Sequence, residues 1–187
     1  MKITKYSLII ILTVLSIFAC NAVDNLLTFN ISANTSLTFP TMPTLPAGVP
    51  NENLNLPFET TTPEINSNFS DQLNNGNSSI DLVSKVKLKE IKLTIDPSLN
   101  ISFSFLKSIH LYISTTTNPE IEIGYLDNIV STTNTINLIP TTNELVKYVK
   151  APTYKIRALV IVNSIPANLS NSVIRNDMIF AVTAKPF

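Results

Sequence analysis

The chain contains one histidine and one cysteine, so the chemistry open to it is narrow. His110 lies in the alternating stretch Ile109 to Ile113 and shares its outward face with Tyr112. A general-base role there would need a carboxylate and a nucleophile close by. A zinc site would need several histidine or cysteine ligands, which this composition does not supply. The plain alternative is a polar surface residue. Glu120 and Glu122 stand two apart on a strand, hence on one face and roughly 7 Å from each other at ~3.4 Å per residue. Paired carboxylates near that separation can serve glycoside hydrolysis. Any solvated strand face has the same spacing, however, and no aromatic sugar platform accompanies the pair.

Lys85, Lys87, Lys89 and Lys92 form a basic ladder. Such a ladder can meet the phosphate groups of a membrane surface. It can also pair across strands with Glu120 and Glu122, or blunt an exposed sheet edge. The sequence contains no phosphate-binding glycine loop, nucleophile elbow or calcium loop, so no cofactor or metal is expected. Nucleic-acid binding has no support beyond the ladder.

The cysteine, Cys20, ends a segment of a different kind. Lys2 and Lys5 precede an apolar run from Ser7 to Phe18, and small Ala19 follows, which is the order of a secretory signal. A run of about 12 residues is too short for a membrane span, which takes roughly 20. Ile17-Phe18-Ala19-Cys20 resembles the lipobox of the bacterial lipoprotein family. That resemblance implies that Cys20 becomes the first mature residue and carries acyl chains, each buried methylene contributing ~0.8 kcal/mol of membrane attachment. It further implies a place in the bacterial cell envelope, on the outer membrane. The alternative is cleavage after Ala22, which would discard Cys20 and leave a soluble secreted or periplasmic protein. Either way the remaining chain has no thiol for a disulfide or a catalytic cysteine.

These residues need elements to position them. From Cys20 to Phe187 there is length for one domain with a proper core. Only three glycines occur, and asparagine-rich connections are expected to take over the left-handed turn positions. Net charge is zero but unevenly laid out. No lysine or arginine occurs between Lys5 and Lys85, where Asp24, Glu52, Glu59, Glu64, Asp71 and Asp81 lie, whereas eleven basic and seven acidic residues follow from Lys85 on. Packing of the two parts on each other would cancel much of this, and a basic face for an anionic partner is the other possibility. Six Asn-x-Ser sequons are attributed to abundant asparagine and serine.

Alternation from Leu27 predicts a strand reaching Phe39, and the six prolines between Pro40 and Pro63 leave no interior strand in that stretch. Thr62-Pro63-Glu64 reads as a helix start, with Ile65, Phe69 and Leu73 recurring every four residues, and Ser79 to Ser84 as one further turn. Val86 and Leu88 share a face with Ile91, Leu93 and Ile95 only if a β-bulge absorbs one residue near Lys89 and Glu90. Further strands are expected at Ile101 to Phe105, Ile109 to Ile113, Ile121 to Tyr125 with all three apolar residues on one face, Ile136 to Ile139, Tyr154 to Val162 and Met178 to Ala184. Leu106 to Ser108 reads as a brief helical turn. Thr141 and Glu144 fit a capping box ahead of a helix stopped by Pro152.

The expected fold is therefore mainly β, a two-layer antiparallel, immunoglobulin-like sandwich of about seven strands with one or two short helices. Its parts are a removed signal (1–19), a lipidated tether (20–25), an acidic, proline-rich segment packing on or leading to the body (26–84), and the body (85–187). The body is similar in pattern to uncharacterised envelope lipoproteins of diderm bacteria. A non-enzymatic anchored module that binds or scaffolds an envelope protein or anionic lipid is the expected function. A carrier of lipid or a small apolar ligand and an envelope hydrolase are the alternatives.

Overall fold

The computed structural model describes residues 26–187, and Cys20 with the signal and tether lies outside them. The chain forms a mainly β, two-layer antiparallel sandwich, made by curling one sheet in the order β1-β9-β4-β7-β6-β5-β8-β2. The first layer holds β1 (Leu27–Thr38), β9 (Val173–Ala184), β4 (Val83–Ile95) and β7 (Thr135–Pro140). The second holds β6 (Ile121–Asp127), β5 (Leu106–Ser114), β8 (Thr153–Val162) and β2 (Leu56–Thr61), with two-residue β3 (Ile65–Asn66) also on β8. β7 makes the corner: Thr135 to Leu138 pair with β4, and Ile139 and Pro140 pair with β6. A strand that changes partners along its length turns one layer into the next.

Among the described residues nine strands form where about seven were expected, because the proline-rich segment contributes β2 and β3. Proline is compatible with an edge strand, and β2, which contains Pro57, pairs only with β8. The amino-terminal segment thus supplies both edges of the curled sheet. They meet where the Thr60 hydroxyl donates to the Thr38 carbonyl at 2.5 Å. The outer edge of β1 is covered at Ser32, whose N–H and C=O are both bonded by the Gln72 side-chain amide. Gln72 is carried there by α1 (Phe69–Asn75), whose Phe69 packs edge-on against Phe180 with ring centroids 5.0 Å apart.

Several local expectations give way to tertiary pairing. The helix begins at Phe69 and not at Thr62, because Thr62 extends the β2–β8 ladder: its N–H donates to the Ile156 carbonyl and its hydroxyl accepts from the Ile156 N–H. Ser79 to Ser84 does contain a short turn, Ile80–Leu82. Phe103–Phe105 is a tight 3-10 turn and not a strand, with both rings buried, and Leu106 already belongs to β5. Thr141 and Glu144 do not form a capping box: the Thr141 hydroxyl donates to the Glu122 carbonyl, and the Glu144 carboxylate accepts from the Val86 N–H. The helix that follows is the single turn α2 (Val146–Val149).

The bulge expected in β4 is present. Leu88 pairs with Phe180 and Glu90 with Ile179, which leaves Lys89 as the extra residue, and Val86, Leu88, Ile91, Leu93 and Ile95 are all buried. Asparagine also takes the role expected of it. Among the described residues, the non-glycine positions with positive φ are Asn53, Asn55, Asn77, Asn100, Asn128 and Asn171. Its short polar side chain lowers the cost of that conformation, which rises for bulkier residues.

Candidate functional site

Of the titratable groups singled out in the sequence, His110, Glu120 and Glu122 converge on the outer face of the second layer, and a bulge in β6 sets their relative positions. Leu111 pairs with Gly124 and Tyr112 pairs with Glu122, so Ile123 is an extra residue in β6. Ile123 and Gly124 consequently both point inward and are buried. Past this point the alternation is inverted: Tyr125 and Asp127 face outward on one side of the bulge and Glu122 on the other. The expectation that Ile121, Ile123 and Tyr125 share one face is thus corrected. Two successive inward residues can be accommodated because the second is glycine. A Cβ at Gly124 would lie 2.1 Å from Cδ1 of Ile91.

Within this face His110 is held on both ring nitrogens, Nδ1 at 2.5 Å from Glu122 Oε1 and Nε2 at 3.2 Å from Asp127 Oδ1. Tyr125, its direct partner in the β5–β6 ladder, stacks on the imidazole with centroids 5.9 Å apart. The Glu122 backbone is fixed in turn, its carbonyl accepting from the Thr141 hydroxyl and the Asn143 side-chain amide. One strand over, Arg157 makes a two-pronged bond to Glu120, with Nε to Oε2 at 2.8 Å and Nη2 to Oε1 at 2.7 Å. Arg157 also reaches Glu59 of β2 at 3.2 Å and lies over the Tyr112 ring, 4.4 Å from its centroid. Glu120 and Glu122 therefore have different partners and do not form a mutually facing carboxylate pair. Nor do they pair with the lysine ladder, which is in the other layer.

Partial burial works against a charged His110, but the hydrogen bonds and charges of Glu122 and Asp127 outweigh it and raise the pKa above the ordinary 6.5. An imidazolium between two carboxylates is a cross-strand clamp. A neutral ring could donate to only one of them. The folded pKa exceeds the unfolded one, so the clamp's contribution to stability is fully present below the unfolded value, about 6.5, and is lost as pH rises through the raised folded value. Denaturant midpoints should fall across that window, and His110→Gln should remove that part of the decline. As the sole histidine, His110 can be followed directly by proton NMR. A ring titrating at or below 6.5 would overturn the clamp.

The lysine ladder lies on the outer face of the first layer. In the β4–β9–β1 rows Lys85 stands beside Thr183 and Thr28, Lys87 beside Ala181 and Asn30, and Lys92 beside Asp177 and Asn34. It does not guard a sheet edge. β4 has β9 on one side, and on the other β7 and then the Glu144–Leu145 segment, whose Leu145 N–H bonds the Val86 carbonyl. Lys87 is engaged by Glu144 at 3.8 Å and by the Thr142 carbonyl. Lys85, Lys89 and Lys92 are exposed and take part in no ion pair among the described residues.

Arg157, Glu59, Tyr125 and Asp127 were not anticipated as site residues. The signal for Arg157 was available: it is a lone arginine inside the apolar run Tyr154 to Val162. No candidate metal-binding cluster occurs among the described residues. A cleft of about 400 Å³ opens at the end of the sandwich away from Leu27, lined by Asn53, Asn55, Leu106, Lys107, Asn128 and Val130 among others.

No family model matches the chain, and no curated protein sequence matches it. Among solved structures it is similar to a chain described as Desmodium yellow mottle tymovirus, with 9% identity over 86% of this chain and 90% of that one. The TM-score is 0.26, too low for the likeness to carry an argument.

Proposed function

We propose that this protein is an exported, acyl-anchored envelope lipoprotein that binds or scaffolds another envelope component and performs no catalysis. The observation that carries the non-catalytic part is the mutual engagement of its candidate catalytic groups. A general base needs a free nitrogen or oxygen to take up a proton. Here both nitrogens of His110 are bonded to carboxylates, and Glu120 is held by both prongs of Arg157. Such a network rigidifies a surface and gives it a fixed pattern of charge and aromatic rings, as suits a docking face. The lipobox-like Ile17 to Cys20 supports the anchor, and the short stretch between Cys20 and Leu27 would keep the body close to a membrane.

The anchor is tested on the native protein. Wild type should partition with membranes and incorporate labelled fatty acid, and Cys20→Ser should abolish incorporation and release the protein. A soluble wild type whose mature chain begins at Val23 would end the lipoprotein proposal.

A further inference from the structure

We infer that the outer face of the first layer is a docking surface for an anionic lipid bilayer, on which the body lies with the Lys85–Lys92 row facing the headgroups. Two observations carry this. The first is charge. Lys85, Lys89 and Lys92 are exposed and have no ion pair among the described residues, whereas Lys87 and Arg175 are each engaged by a carboxylate, Glu144 and Asp177. Within the row Glu90 is the one exposed carboxylate without an ion pair among the described residues, and Asp81 and Asp96 stand beyond its two ends. The outward side chains of β1, from Thr28 through Asn30, Ser32, Asn34 and Ser36 to Thr38, are uncharged hydroxyls and amides. They are able to bond phosphate and glycerol oxygens and repel neither. On the opposite face Glu59, Glu120, Glu122 and Asp127 are engaged by Arg157 and His110, so charges there largely cancel and no row of adjacent lysines forms.

The second observation is where the chain enters this face. β1 is the edge strand of the same layer, and its first residue, Leu27, pairs with Ala184 at the end where the lysine row begins. Lys85 is two strands from Thr28, about 10 Å at the usual strand spacing. Cys20 and Leu27 can be no more than about 25 Å apart along the chain. An acyl group on Cys20 would thus hold this face near the headgroups, where each lysine adds its own attraction. The inference takes the anchored reading for that placement, while the charge argument stands without it.

The test uses the full exported chain bearing Cys20→Ser, so that no acyl group contributes. This protein should bind vesicles of phosphatidylglycerol and phosphatidylcholine in equal parts, should not bind phosphatidylcholine alone, and should be released by high salt. Combining Lys85→Gln, Lys89→Gln and Lys92→Gln should weaken binding on the order of 100-fold, from roughly fivefold per lysine. Lys107→Gln with Lys155→Gln, outside the row, should change it less than twofold. Thermal melts check that each variant is folded. Equal binding to the two vesicle types, or a triple variant within twofold of its parent, would overturn the proposal. Capture of soluble polyphosphate by the same lysines without vesicle binding would also overturn it, assigning the row to a free polyanion. Fatty-acid labelling of wild type judges the anchor separately. Labelling without vesicle binding ends only the docking surface, and vesicle binding without labelling ends only the anchor.

Discussion

A chain that begins at Ser79 should fail to unfold cooperatively. Removing everything before Ser79 deletes β1, β2, β3 and α1. The edge of β9 is then uncovered along all twelve residues of its pairing with β1, and the edge of β8 is uncovered from Thr153 to Val162. It also takes out Ile31, Leu37, Phe39, Phe69 and Leu73, all buried, at roughly 1.5–3 kcal/mol each. That loss is comparable with the whole stability of an ordinary domain, about 5–15 kcal/mol. Two unpaired, apolar strand edges would remain as templates for aggregation. Denaturant melts of the two chains, followed by circular dichroism, decide the matter. Trypsin offers a second readout, because the full chain has no lysine or arginine between Lys5 and Lys85. The shortened chain should be cut rapidly at Lys85, Lys87 and Lys89, which the folded protein should protect. A cooperative melt with an unchanged midpoint would mean that residues before Ser79 are dispensable.

Gly124→Val should destabilise the protein by about 1–3 kcal/mol through overpacking alone, with further loss if the bulge re-registers. The added atoms would occupy the place of the Ile91 Cδ1 methyl, and Ile91 is fully buried, with little room to change rotamer. Because the inward pair Ile123–Gly124 turns Glu122 outward, the same substitution should weaken the Glu122–His110 bond and lower the His110 pKa toward 6.5. Ile91→Ala would itself cost about 2–5 kcal/mol. Combined with Gly124→Val it should cost less than the sum of the two, by about 1 kcal/mol or more, since each change relieves the other. Strict additivity, with an unshifted His110 titration, would show that Gly124 does not set the bulge.

The bulges at Lys89 and at Ile123 differ in how far they can be read from residues alone. In β4, Val86 and Leu88 and then Ile91, Leu93 and Ile95 are separated by an uninterrupted charged pair, so the slip in phase is visible in one strand. In β6 the slip falls at Ile123–Gly124. Glycine has no side chain to mark a face, and Tyr125 counts as apolar although it lies outward. Ile121, Ile123 and Tyr125 therefore read as unbroken alternation. Since the position of Glu122 relative to His110 depends on that hidden slip, the clamp was not legible: His110 and Glu122 stood out singly, and Asp127 did not stand out at all.

Short elements failed for another reason. Thr141 and Glu144 have the types and spacing of a capping box, and Thr62-Pro63-Glu64 has those of a helix start. In each case a backbone group elsewhere in the fold, the Glu122 carbonyl, the Val86 N–H or the Ile156 N–H and C=O, took the same side chain or backbone. Local signals are worth about 1 kcal/mol, so a partner that would otherwise be left unpaired in the interior outweighs them.

By itself the sequence determined the mainly β class, the inward faces of the long strands, the asparagine turns and the bulge at Lys89, because these follow from side-chain alternation and backbone preference within one segment. Only the tertiary structure decided that the acidic segment forms both edges of the sheet, that Glu120 and Glu122 take separate cationic partners, and that the lysine row lies in the opposite layer from them. Those outcomes depend on which strands become neighbours. Strand pairing is made by backbone hydrogen bonds that every residue but proline can offer, so the order of strands leaves little trace in residue type.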